Sequence, residues 1–200
     1  SKAPAEETPA QEDVLPSGEP DDPASTPDSG TDGGTDSGTE TGTGSGTLAH
    51  TDFDDWRFEF EGERFSAKKV GGWTYETCDP VDARGVLAES KCRRAVQVGY
   101  SAYRGHLRAV QVTMEFPSEQ AAQNAARRMG QDDRALNIRR DMTLPDFAYG
   151  RVLTHPVANY VMTTIVTADK TAERRALKFH AYLHADSVTR FGIANRTVTT

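Results

Sequence analysis

The chain is 200 residues long, with 23 basic and 30 acidic residues and a net charge of minus seven, but neither charge nor hydrophobicity is spread evenly. Residues 1–50 hold eleven acids against Lys2 alone, and no Phe, Trp or Tyr precedes Phe53, so this quarter cannot bury enough apolar surface to offset the entropy of ordering itself. Residues 51–200 carry 22 bases and 19 acids, a net plus three, which excludes an acidic domain surface overall and is too small an excess for a nucleic-acid binder without a recognisable module.

In chain order, the first predicted element is a disordered acidic stalk over 1–50. Its Pro-rich first half (Pro4, Pro9, Pro16, Pro20, Pro23, Pro27) is expected to be stiffer than "TPDSGTDGGTDSGTETGTGSGT" at 26–47. Repulsion among its carboxylates favours an extended spacer spanning roughly 35 to 40 Å or more. The chain contains no basic-then-apolar signal and no run near the ~20 apolar residues of a membrane span. No membrane insertion of this segment is therefore expected, and a tether would sit upstream of Ser1.

Residues 51–200 are predicted to form a single α+β domain. At its entrance "HTDFDDW" gathers His50, Asp52, Asp54 and Asp55, which could attract a cation. Without the Gly turn and final Glu of an EF-hand loop, the stretch reads as a solvated linker junction. "FDDWRFEFEGERF" follows, with a turn at Glu61-Gly62. Trp56, Trp73 and Tyr75 could form a stacking platform for carbohydrate or peptide, with core or cap positions as the bland alternative.

Cys78 and Cys92 are the only cysteines, and an even count beside a stalk reads as one disulfide in an oxidising compartment. Two buried free thiols are the alternative. A zinc site needs more ligands than this pair supplies, and the spacing is not that of a CxxC redox motif.

"RAVQVGY" places Val96, Val98 and Tyr100 on one face of a strand, and "RAVQVTMEF" does the same for Val110, Val112, Met114 and Phe116. A hairpin turn with Gly105 at its tip joins them. Then the spacing becomes helical: Ser118 is an N-cap, Ala121, Ala122, Ala125 and Met129 form a stripe, and Gly130 a stop. Residues 131–147 form a long mixed-charge connection. "AYGRVLTH" and "ANYVMTTIVTA" supply two more strands. The segment 170–191 alternates as a strand at Leu177, Phe179, Ala181 and Leu183, but follows helical spacing at Leu177, Ala181, His184, Val188 and Phe191. Asp169 as a cap, with Ala172, Glu173 and Ala176, favours the helix. The expected architecture is an antiparallel sheet covered on one face by two helices, with a ββα-ββα pseudo-repeat and one disulfide.

Few motifs in the chain carry chemistry. No Gly-x-Ser-x-Gly, dinucleotide or phosphate-loop motif occurs, and nothing calls for a cofactor. His180 and His184 are weak metal candidates, four apart but without the Glu of HExxH or an obvious third ligand; edge-of-core positions are the favoured reading. Arginine exceeds lysine in the domain by 17 to 5 and occurs in pairs, Arg127/Arg128 and Arg139/Arg140 among them, which could hold an anionic polymer, phosphate or acidic protein. Asn195-Arg196-Thr197 matches a glycosylation sequon.

The Thr/Gly/Asp/Pro-rich acidic stalk, the two-cysteine domain and the preference for Arg and Ala over Lys resemble in style the extracytoplasmic domains of high-GC actinobacterial membrane or surface proteins. That resemblance implies a location and a mode of anchoring, not an activity or a set of site residues. The function expected is a non-enzymatic extracellular binding or sensory domain held off the surface by its stalk, its partner a surface protein, an envelope polymer or a small ligand. A secreted hydrolase or envelope-modifying enzyme is the alternative from another class, and a structural spacer a third.

Overall fold

A computed structural model of the protein describes residues 47–195. The stalk expected over 1–50 lies outside the described residues except at 47–50, as do Arg196 and Thr197 of the sequon. Packing begins earlier than the expected boundary at 51, because Leu48 is already buried in the core.

Six strands form one curled antiparallel sheet in the order β1-β2-β3-β4-β6-β5. β1 (Trp56–Phe60) and β2 (Glu63–Tyr75) meet at the expected turn, where Glu61 and Gly62 both have positive φ (49° and 81°). Such a two-residue turn matches the right-handed twist of the strands it joins. β2 is partnered twice: residues 63–67 pair with β1, and 68–75 pair with β3 (Arg94–Ala102). The register slips between Lys69 and Gly71, a bulge that bends the strand and curls the sheet. β3 and β4 (Leu107–Glu115) form the predicted hairpin, with Gly105 at φ 86° in its turn. β5 (Tyr149–Val157) occupies one edge, where Pro156 is tolerated, and β6 (Tyr160–Ala168) joins it to β4.

Three helices complete the fold: the short α1 (Val86–Glu89), α2 (Glu119–Met129) and α3 (Glu173–Ala194). Ser118 caps α2 as expected, its hydroxyl accepting from the Ala121 amide at 3.1 Å. The ambiguous 170–191 segment is helical. Its inward stripe differs from the predicted one, however: Ala176, Phe179, His180, Leu183 and His184 are buried, whereas Leu177 is 64% exposed. Asp169 does not cap α3 directly. It accepts from the Thr171 amide and is paired with His106 at 2.6 Å, in the turn that precedes the helix.

The two long helices do not share a face. Val96, Val98, Tyr100, Leu107, Ala109, Val166 and Ala168 pack with Phe179 and Leu183 of α3 on one side. Ala95, Val110, Val112, Met114, Val161 and Ile165 pack with Ala122, Ala125 and Met129 of α2 on the other. The physical reason lies in β3, β4 and β6, which are buried along nearly their whole length. Strands apolar on both sides need a layer on each. In chain order two strand–strand–helix units follow β2, but with helices on opposite faces they are not two copies of one packing unit.

The long connection 130–148 is part of the α2 layer, with Ala135, Leu136 and Ile138 buried there. Beside it, Cys78 and Cys92 form the expected disulfide, with Cα atoms 5.9 Å apart. The loop it closes pushes Val81 and Leu87, both fully buried, into the same core. A disulfide is characteristic of an oxidising environment. No helix among the described residues is long and apolar enough to cross a membrane.

Candidate functional site

Where the chain enters the domain, its first packed residues lie against the last two turns of α3, and a cleft of about 490 Å³ opens between them. The entry segment is fixed in three ways. The His50 amide donates to Thr74 Oγ1 at 2.9 Å, and the His50 ring lies 2.8 Å from the same hydroxyl. Lys69 Nζ donates to the His50 carbonyl at 2.7 Å. Gly72 leaves room for the imidazole, since a Cβ there would stand 2.7 Å from the ring. Burial, then the neighbouring Lys69 charge, pushes the His50 pKa down.

Aromatic rings wall the cleft. Phe53 stacks on Phe191 at 6.2 Å, and Tyr160 meets Phe191 edge-on at 4.8 Å. Trp56 is buried at the base, edge-on to Phe179, and its indole N–H donates to Asp186 Oδ2 at 2.8 Å. Asp186 also pairs with Arg190 at 3.0 Å, one helical turn on, and Arg190 reaches the Arg57 carbonyl at 3.4 Å. In this way β1, α3 and the entry segment are bound together at one place.

The rim is acidic: Asp52, Asp54, Asp55 and Asp186 face a single cation, Arg190. Asp52 accepts from the Ala49 amide and Asp55 from the Lys69 amide, which holds both on the entry segment. The carboxyl end of α3 contributes Ala194 and Asn195, so the negative pole of a 22-residue helix adds to the field. Among the described residues no three His, Cys, Asp or Glu side chains converge closely enough to share a metal ion. The negative potential is therefore spread around the rim.

Tyr100, on the floor, is the most informative residue. It is only 4% exposed, yet its hydroxyl has no hydrogen-bond partner among the described residues. Burial raises its pKa first, and the facing Asp54 and Asp55 raise it further, against a smaller opposing effect of Arg190. The phenol stays protonated with its oxygen turned toward the cleft.

The other sequence candidates lie elsewhere. Trp73 and Tyr75 are on the α2 face, opposite Trp56, so the three do not make one platform. Arg139 stacks its guanidinium 4.2 Å from the Trp73 ring centre, and Gln97 bridges Tyr75 to the Arg139 amide. These contacts hold the long connection against β2 and β3. Arg127 reaches Asn124 on its own helix, and Arg128 is paired with Glu89 of α1. Arg139 and Arg140 stand at the start of a 3-10 turn on the connection.

His180 and His184 are buried under α3 in a polar network. His180 bonds through one ring nitrogen to the Tyr149 hydroxyl at 2.9 Å and donates through the other to the Thr164 carbonyl at 2.8 Å. His184 Nδ1 lies 2.8 Å from Thr164 Oγ1, to which Gln111 also donates. Burial pushes both imidazoles down to about 4. Their ring nitrogens serve the helix–sheet interface.

Sequence reasoning named Asp52, Asp54 and Asp55 but could not place α3 against them. The signal that was available is the pattern Asp186–Arg190–Phe191, whose i,i+4 ion pair and adjacent aromatic mark a structured helix end. Comparisons of the chain with protein-family models, with curated protein sequences and with solved structures found no match.

Proposed function

We propose that this is an extracellular binding or sensory domain, carried on a flexible acidic stalk, with the cleft between the entry segment and α3 as its ligand site. The observation that carries the reading is Tyr100, a nearly buried phenol whose hydroxyl has no partner on the floor of an aromatic-walled cleft. The ring is packed away while the hydroxyl opens into the cleft, so a ligand that reaches the floor meets a phenol oxygen not committed to any protein partner among the described residues. Concave sites with apolar walls and few polar groups are the common form of small-molecule sites.

The location reading draws on the disulfide and on the composition of the stalk, in the style of actinobacterial surface proteins with an anchor upstream. The stalk would raise the local concentration of the domain near a surface partner without imposing an orientation. Binding rather than catalysis is favoured by the lining: Ser187 is its one aliphatic hydroxyl, and no His, Lys or Cys lies beside it to act as a base.

The test is a mixture screen by two-dimensional NMR on the full chain, using pools of small amines, carboxylic acids, sugars and short peptides. Ligands that shift the Trp56 indole signal together with the Ser187 and Arg190 amides support the cleft as the site. Pools that bind but shift only the α2 layer, around Arg128 or Arg139, would show that the cleft was wrongly chosen.

A further inference from the structure

We propose that the ligand group taken by this cleft is a primary alkylammonium, its chain lying along the aromatic wall and its charged head among the rim aspartates and the Tyr100 oxygen. The inference rests on the cleft being the binding site and adds the chemical class. Three independent features converge on a cation. The rim carries four carboxylates against Arg190, and the geometry within α3 already commits that arginine to Asp186. Asp54, by contrast, makes no hydrogen bond or ion pair among the described residues. The second feature is the carboxyl end of α3, which presents the negative pole of its dipole at the same opening.

The third is the wall itself. Phe53, Phe191 and Tyr160 offer ring faces and edges where an alkyl chain can lie and a cation can be held by the ring quadrupoles. The Tyr100 oxygen, without a partner among the described residues, supplies a lone pair that an ammonium N–H can reach, and Asp54 and Asp55 line the same cleft. An ammonium carries three donors and no acceptor, which fits a site of carboxylates and a phenol oxygen. A carboxylate or phosphate would meet like charge on every side except at Arg190.

The acidic stalk sharpens the choice. Residues 1–50 carry a net charge of minus ten, which favours a cationic over an anionic ligand, the more so at low salt.

The experiment is calorimetric titration of the full chain with pentylamine, 1,5-diaminopentane and tetralysine amide, with pentan-1-ol, pentanoate and ethylguanidinium as controls. The expected result is binding of the amines, weakened as salt rises, with pentanol and pentanoate at least tenfold weaker. Tighter binding of the diamine points to a free polyamine source, and tighter binding of tetralysine to a lysine-bearing chain. Tyr100→Phe, which keeps the ring packing, should weaken the amines about tenfold. Asp54→Asn, at an exposed carboxylate without a partner among the described residues, should weaken them roughly two- to fivefold without altering the fold. Pentanol or pentanoate binding as tightly as pentylamine, or guanidinium binding more tightly, would overturn the alkylammonium assignment while leaving the cleft as the site. Amine binding unchanged in both variants would overturn it too, as would no amine binding, whereupon the mixture screen alone decides whether the cleft binds anything.

Discussion

Acidification should loosen this domain well above the pH at which carboxylates titrate, and His180 and His184 are the cause. Each is pushed down to about 4 by burial, and the unfolded chain returns them to about 6.5. The folded value is the lower one, so the unfolded state binds more protons between the two values. Stability is therefore complete above pH 6.5 and falls as pH drops toward 4. At 1.4 kcal/mol per unit, each imidazole costs about 2 kcal/mol by pH 5 and about 3 kcal/mol by pH 4. Both lie under α3 and are less than 10% exposed, so solvent screening discounts little of this. After burial, the neighbouring His180 and His155 charges lower His184 further. Urea unfolding at pH 7.5, 6.0 and 5.0 measures the effect, and the free energy should fall by roughly 2–4 kcal/mol across that span. His184→Gln removes one of the two partners of the Thr164 hydroxyl and should lower stability at pH 7.5 while reducing the pH slope by about half. Equal stability at pH 7.5 and 5.0, or an undiminished slope in His180→Gln/His184→Gln, would refute the reasoning.

Replacing Cys78 and Cys92 by Ser should cost about 3 kcal/mol for a loop of this length, a fall in Tm of about 6–12 °C by calorimetry. Gly99→Ala should destabilise by about 1–3 kcal/mol in chemical unfolding, because the new Cβ would stand 2.2 Å from Met142 Sδ. Met142→Ala in the same chain should restore part of that loss. Asp186→Asn should leave Arg190 without its carboxylate and alter the Trp56 environment, read as a shift in tryptophan emission and a stability loss of about 1 kcal/mol.

Much of the local structure was legible. The Glu61-Gly62 and Gly105 turns, the Ser118 cap, the disulfide and the inward faces of β3 and β4 all follow from residue types whose backbone or hydrogen-bonding preferences act within a few positions. What escaped was the second face of the sheet. Gln97, Gly99, Gln111 and Thr113 look like solvent positions in an alternating strand, yet none is exposed. Gly99 makes room for Met142, Gln97 bonds to the connection that covers it, and Gln111 bonds to Thr164 on the paired strand. Small or bonded polar residues thus disguised a buried surface, and the helix layers were assigned to one side. In α3 the stripe was misplaced for a related reason: His180 is among its most buried residues, and a histidine there carries no apolar signal. The cleft escaped because its halves, Asp52–Trp56 and Asp186–Asn195, lie about 130 positions apart, and only the curl of the sheet brings them together.

The pinning of His50 also has a mechanical meaning. A pull on the backbone ahead of Leu48 passes through the His50–Thr74 and Lys69–His50 bonds into β2, and the Trp56–Asp186 tie couples the same region to α3. The point where force enters is thus the lip of the cleft, and tension and occupancy act on the same few bonds. A ligand that bridges the entry segment to α3 would stiffen that lip, and tension on the chain ahead of Leu48 would draw it open.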